Sequence, residues 1–327
     1  MDDRIIENDD NNIQVIRQRY PGGLHFVVGD THGEQPTLSR LMDKIRYEPD
    51  KDHIYFLGDY NGGRNPTELL KYISQFYQED LSLPGFHLIR GNHERELCPL
   101  YKLDNLPDII VVRGKFMDYF LVHAGMVNDA FLLIRSDMNR FPEANAFAYA
   151  LKEETACHDA PFRQIVWSRK GLYSQSSFFH VWPPRNSLLD ANACIIHGHT
   201  PFFYLKKDGY FSYGSEMLFW AKQRIWFAED LQSFNIDSNM KGLYAPEDQY
   251  CGLACICLEI LEEIAGHSKR GLTRDEIRRA DNFVFSETYT SCNENMITGD
   301  IKRVLYARPC MKTIGLNAEG KPYISDQ

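Results

Sequence analysis

No apolar run in this 327-residue sequence approaches the roughly 18 residues that a membrane-crossing helix needs. A basic segment followed by an apolar one is missing at the start too. Met1 leads into Asp2, Asp3 and a polar, acidic stretch through Asn12, unlike a secretory leader. Positive charge is in deficit: 36 Lys and Arg stand against 45 Asp and Glu, a net charge of −9. Wrapping nucleic acid on a basic face is therefore not the expected function. The eight cysteines form no paired pattern, and several lie in apolar, strand-like runs, as reduced core thiols do. Cys251, Cys255 and Cys257 are close enough to suggest a metal clip, but CGLACICLEI reads as a buried strand and no matching second pair follows. Internal repeats and low-complexity segments are lacking as well. These absences point to a reducing cytoplasm, with no membrane and no nucleic acid as partner, and they leave the oligomeric state open.

What is present is an ordinary globular composition, 43% hydrophobic and 25% charged, long enough for one large α/β domain with insertions or two smaller domains. Short apolar runs alternate with helical patterns. LHFVV ends at Gly29-Asp30, and Leu38, Leu41, Met42 and Ile45 then fall on one helical face. HIYFL ends at Gly58-Asp59. Asn65 as N-cap, Pro66 and Glu68 start the next helix, with Leu69, Leu70, Ile73 and Phe76 on its apolar face. FHLI ends at Arg90-Gly91-Asn92-His93, YFLV at His123-Ala124-Gly125, and CII at His197-Gly198-His199-Thr200.

Each of these strands thus stops at polar residues of metal-binding type, on the sheet edge where open α/β folds place their sites. Asp30, His32, Asp59, Asn92, His93, His123 and His199 supply carboxylate, imidazole and amide oxygen. That mixture suits divalent Mn, Fe or Zn. Asp59, central in the set, can bridge two ions about 3.5–4 Å apart, an arrangement that clamps a phosphoryl group and acidifies a water for in-line attack.

The motifs GDTHG, GD…RNP, RGNHE, VHAG and HGHTP occur here in the order found in the phosphoprotein phosphatase family of calcineurin-like metallophosphoesterases. The sequence resembles that family over residues 24–200, and again at NIDSNMKG (235–242) and CGLACICLEI. The resemblance implies an α/β fold: a metallophosphoesterase β-sandwich flanked by helices, with a dinuclear metal site at the C-terminal strand ends. It implies two divalent ions, Mn favoured, the first held by Asp30, His32 and Asp59, the second by Asp59, Asn92, His123 and His199. His93 becomes the general acid, and Arg64 and Arg169 (in IVWSRKG) clamp phosphate. His197, Arg90 and Glu94 have structural readings: a histidine behind the ligands, a salt bridge and a loop support.

Around a metallophosphatase domain at 24–260, residues 1–23 form an N-terminal extension and 261–327 a C-terminal one packed on the domain. Residues 127–160 read as mostly helical and cap-like. The aromatic insert 201–234 reads as a hairpin about Asp208-Gly209 plus an amphipathic helix. LTRDEIRRADNF has the capping box of a further helix.

One loop departs from the family. Where it carries Gly-Asp-x-Val-Asp-Arg-Gly, this chain has GDYNGGRNP, and either Gly63 or Gly62 takes the place of the second aspartate. That carboxylate pairs with the acid histidine, orienting it and favouring its charged form. Its loss weighs most on poor leaving groups such as a serine alkoxide, and least on aryl oxides or nucleotide phosphates. The expected function is hydrolysis of phosphomonoesters, in phosphoproteins (Ser/Thr or Tyr) or phosphorylated small molecules. The alternatives are a nucleotide-polyphosphate hydrolase, as in the diadenosine tetraphosphatases, and an inactive phosphopeptide-binding scaffold.

Overall fold

A computed structural model describes residues 6–9, 13–16, 23–63, 65–96, 106–126, 128–142, 144–150, 185–199, 217–220, 225–228, 232–237, 252–267, 284–288, 314–316 and 322–324. Strands β1 (Ile6–Asp9) and β2 (Ile13–Ile16) pair antiparallel. Next come β3 (His25–Val28), helix α1 (Gln35–Ile45), β4 (His53–Phe56), helix α2 (Pro66–Ser74) and β5 (Gly85–Leu88). The three strands run parallel in the order β3-β4-β5 and are buried at every position. Parallel pairing needs crossover connections, and strands covered on both faces read as unbroken apolar runs. The predicted face of α1 is the buried one, including Leu38, Leu41, Met42 and Ile45. Helix α2 starts at Pro66 as expected, although the Asn65 side chain makes no capping hydrogen bond.

A second, nine-stranded sheet packs against this one. Its middle is β6 (Ile109–Arg113), β7 (Asp118–Val122), β8 (Ala146–Tyr149), β9 (Ala193–His197) and β12 (Ser233–Asn235), with β7, β9 and β12 parallel. Period-two alternation serves two cores. Ile110, Val112, Tyr119, Leu121, Cys194 and Ile196 face the five-stranded sheet. Ile109, Val111, Phe120, Val122, Ala193 and Ile195 turn outward to a second cluster with helix α3 (Asn128–Arg140) and Leu188 of α4 (Arg185–Asp190). The result is the helix-flanked β-sandwich that the resemblance implies.

Several expectations need correction. Within 127–160, α3 is followed by a strand: residues 146–149 form β8, paired on both sides with β2 and β6, and residues 151–160 lie outside the described residues. Ala146 and Ala148 fit between the sheets while Phe147 and Tyr149 fill the outer core, so AFAY is a strand. The aromatic insert is all strand where described: β10 (Met217–Trp220) and β11 (Ile225–Ala228) pair as a hairpin and extend the nine-stranded sheet beyond β12. Asp208-Gly209 lies outside the described residues, as does LTRDEIRRADNF up to its last residue. CGLACICLEI divides into β13 (Gly252–Cys257), antiparallel to β3, and helix α5 (Leu258–His267), because Leu258 and Leu261 are buried at helical spacing. Cys255 and Cys257 are buried and in no disulfide. Part of the C-terminal extension, β14 (Val284–Thr288), completes the five-stranded sheet beside β13. None of the described helices is long and apolar enough to cross a membrane.

At the N-terminal ends of β3 and β4, the rings of His25 and His53 stack with centroids 4.7 Å apart, and those of His53 and His87 at 5.3 Å. His53 Nδ1 lies 3.0 Å from His87 Nε2, and His87 Nδ1 donates to Gln78 O at 3.0 Å. Burial lowers His53 to about 2 and His87 to about 4, from an ordinary 6.5. The unfolded chain therefore takes up these protons first. The stabilisation is complete above the unfolded value and is lost as pH falls below it, by on the order of 3 kcal/mol for His87 alone once its folded value is reached. In urea unfolding of metal-free protein, His87→Gln should be less stable than wild type at pH 8. It should also lose less stability between pH 7 and pH 4.

Candidate metal centre

The polar strand ends of both sheets meet at one place. Asp30 follows β3, Asp59 follows β4, Asn92 and His93 follow β5, His123 follows β7 and His199 follows β9. The ligand-type atoms of Asp30, His32 and Asp59 lie within 4.8 Å of one another, and so do those of Asp59, His123 and His199. Asp59 belongs to both sets. All five are buried, as is Asn92.

His123 shows how the centre is built. Its Nδ1 lies 2.7 Å from the Leu57 carbonyl, so the tautomer assigned from that bond carries its proton there. The Nε2 electron pair then faces Asn92 Oδ1 at 2.9 Å, His199 Nδ1 at 3.1 Å and Asp59 Oδ1 at 3.4 Å. Electron-pair donors converging at this range suit a cation. On the other side, His32 Nε2 stands 3.7 Å from Asp59 Oδ2, and Asp30 Oδ2 accepts the His199 N–H at 2.9 Å. Asp30 Oδ1 is buried without a hydrogen-bond partner. Burial, then Asp237, then Asp59 push the Asp30 carboxyl well above its ordinary range. A divalent ion would meet each of these demands at once, so the residues present fit the two-ion centre that the sequence implies.

The backbone is bent to the same end. His32, Asp59 and His199 have φ of 43°, 55° and 66°, the left-handed region that non-glycine residues rarely occupy. Glu94 secures one of these bends. Its carboxylate accepts the N–H groups of Asp59 (2.7 Å), Tyr60 (2.8 Å), Asn61 (3.4 Å) and Gly91 (2.6 Å). Burial and the neighbouring Asp59 raise Glu94 to about 7. Arg90 pairs with buried Asp108 at 3.2 Å. His197 is fully buried, belongs to neither ligand set, and is lowered to about 4 by its burial.

His93 lies at the rim, its side chain 25% exposed and Nε2 3.8 Å from Asp59 Oδ2, while its backbone N–H donates to Asp59 Oδ1 at 3.1 Å. The glycine that faces it is Gly62. A Cβ there would stand 3.1 Å from His93 Nδ1, at φ 96°. Gly63 is turned the other way, and a Cβ on it would overlap the His32 carbonyl oxygen. Of the two glycines, Gly62 is therefore the one that stands where a carboxylate could reach His93. Arg64 and Arg169 lie outside the described residues. One residue that sequence reasoning did not single out is Asp237, 1% exposed, although its segment NIDSNMKG was among those that carry the resemblance.

The calcineurin-like phosphoesterase profile matches residues 26–218, more than half of the sequence. The chain belongs to the calcineurin-like phosphoesterase family. This family is metal-dependent, and its curated members similar to this chain are hydrolases of phosphate compounds. A symmetrical bis(5'-nucleosyl)-tetraphosphatase of Actinobacillus succinogenes is 26% identical over 129 residues, 32% of this chain and 45% of the relative. Serine/threonine-protein phosphatase PP1-delta of Caenorhabditis elegans is 38% identical over 78 residues, 23% of each protein. The chain thus matches less than half the length of these relatives. A solved serine/threonine phosphatase of Saccharomyces cerevisiae, described as similar to human phosphatase PP5, aligns with a TM-score of 0.48 at 15% identity, covering 84% of this chain and 82% of that one.

Gly63→Ala should force the two loops apart and carry His32 with them. Metal uptake should fall with it, whereas Gly62→Ala, strained by its positive φ and by the His93 ring but clear of His32, should keep most of it. Mn titration of both variants checks this, and equal retention would contradict the packing described.

Proposed function

We propose that this chain is a metal-dependent phosphatase that hydrolyses phosphomonoesters, foremost phosphoserine, phosphothreonine or phosphotyrosine in proteins. The observation that carries the proposal is Asp59, whose carboxylate stands in both ligand sets. Asp30, His32 and Asp59 would hold one divalent ion, Mn favoured, and Asp59, Asn92, His123 and His199 the other. Such a pair supplies a Lewis-acid clamp on the phosphoryl oxygens and an acidified water for attack at phosphorus. The chain's own residues do the rest. His93, at the exposed rim, gives a proton to the departing oxygen, and Arg64 and Arg169 would orient the phosphate.

The family's second-aspartate position favours a second reading. With glycine at 62, His93 has no carboxylate there to hold its ring or favour its protonated form. Leaving groups that depart with little protonation suffer least. A nucleoside polyphosphate, cleaved at an anhydride, is such a substrate. This reading draws on the tetraphosphatase relatives as the first does on the protein phosphatase.

Mn-loaded protein assayed on p-nitrophenyl phosphate, a phosphoserine peptide, a phosphotyrosine peptide and diadenosine tetraphosphate separates the readings. Turnover of the phosphopeptides, lowered at least about 10²-fold by Asp59→Asn, is the expected result. Preference for the tetraphosphate would select the second reading, and no turnover on any substrate by protein holding two Mn ions would sink both. General acid catalysis is worth about 10²–10⁴-fold. Restoring its support with Gly62→Asp should therefore speed phosphoserine cleavage several-fold more than aryl phosphate cleavage, and an equal change on both would contradict the leaving-group argument.

A further inference from the structure

Away from the metal centre, a cavity of about 110 Å³ opens between the two sheets. Its cause is the inward face of β8 and of the residue after it. In AFAYA (146–150) every second residue is alanine, and Ala146 and Ala148 face the five-stranded sheet. On β6 the neighbour of Ala148 is Ile110, and across the gap stand Leu81, His87 and Leu88. Sheets pack about 10 Å apart, a distance that larger side chains from both inner faces normally fill. Where one face offers only methyl groups, space is left. Leu81, His87, Leu88 and Ile110 are each at most 2% exposed and form the floor. His87 engages both ring nitrogens with His53 and Gln78, so it meets the space with a ring surface.

The mouth differs from the floor. Tyr77 and Gln78 are half-buried there, and Glu79 is exposed. Burial, and then the charge of Glu79, raise the Tyr77 hydroxyl above its usual range, which puts that carboxylate within electrostatic reach of the rim. No lysine or arginine lines the cavity among the described residues. An apolar floor under a negative mouth selects a molecule with an apolar body and a positive head. Size narrows the choice. An apolar cavity of about 150 Å³ takes benzene, whereas drug-sized ligands need about 300 Å³ or more. We propose that this cavity is a binding site for small aliphatic amines of about four or five carbons, with the chain on the floor and the ammonium beside Glu79. A lysine side chain of a partner protein carries its charge at the tip and would enter the wrong way round. None of the lining residues is a proposed metal ligand, so the inference stands apart from the phosphatase reading.

The test is a saturation-transfer NMR titration of the full-length protein at neutral pH with isopentylamine and with its uncharged counterpart, isopentanol. The amine should bind saturably, with a Kd of about 1 mM or tighter. The alcohol should bind about three- to five-fold more weakly, the worth of an ion pair that stays in contact with water. Glu79→Gln, a change at an exposed side chain, should erase that difference by weakening the amine alone. Ala148→Leu should fill the floor and remove binding of both. The inference is overturned by an amine that shows no saturable binding up to about 10 mM, ten times the expected limit. Equal affinity for amine and alcohol in the wild-type protein overturns it too, as does amine binding that Ala148→Leu leaves unchanged. Where Ala148→Leu fails to fold, Glu79→Gln decides alone, and a preference for the amine that survives it overturns the inference.

Discussion

Asp59 is fixed in place by Glu94. A carboxylate that is to face two ions, the role proposed for Asp59, cannot be free to choose its backbone angle, and here the choice has been made in advance. Four N–H groups from the loops after β4 and β5 converge on the Glu94 carboxylate. The positive φ of Asp59 is thereby stabilised by hydrogen bonds to its own N–H and to those of Tyr60 and Asn61. The same contact sets the loop that bears Asn92 and His93 against the one that bears Asp59. Preorganisation of this kind keeps ordering costs out of ion binding and out of the chemical step.

That arrangement has a cost in stability. The sandwich gathers like charge in a place from which water is nearly excluded, and burial penalises each charged carboxylate more than an exposed one. The apolar layers on both faces of the nine-stranded sheet, and the helices outside them, offset the expense. The fold can carry a repulsive centre because that centre sits at one edge, where two parallel strand triplets end, and the cores lie elsewhere. Ions that bind only the folded chain would add to its stability by linkage.

Much of this was legible in the sequence, for identifiable reasons. The apolar faces of α1 and α2 follow from 3.6-residue spacing. The polar strand ends follow from buried runs that stop at Asp, Asn or His, and five such stops in family order implied convergence before any distance was known. What the sequence hid was local. A Gly-Gly pair has no side chain to set its register, so whether Gly62 or Gly63 faces His93 was decided only by the packing of the loop against His32. AFAY is short enough to be helix or strand, and its place between β2 and β6 settled it.

The central claim is that one carboxylate, Asp59, joins two cation sites into a single centre. Low-temperature EPR of the Mn-reconstituted chain, with metal content measured on the same sample, tests it most directly. The account predicts two Mn ions per chain and the spectrum of an exchange-coupled pair, replaced in Asp59→Asn by signals of uncoupled ions. One ion per chain, or an uncoupled spectrum in the wild-type protein, would contradict it.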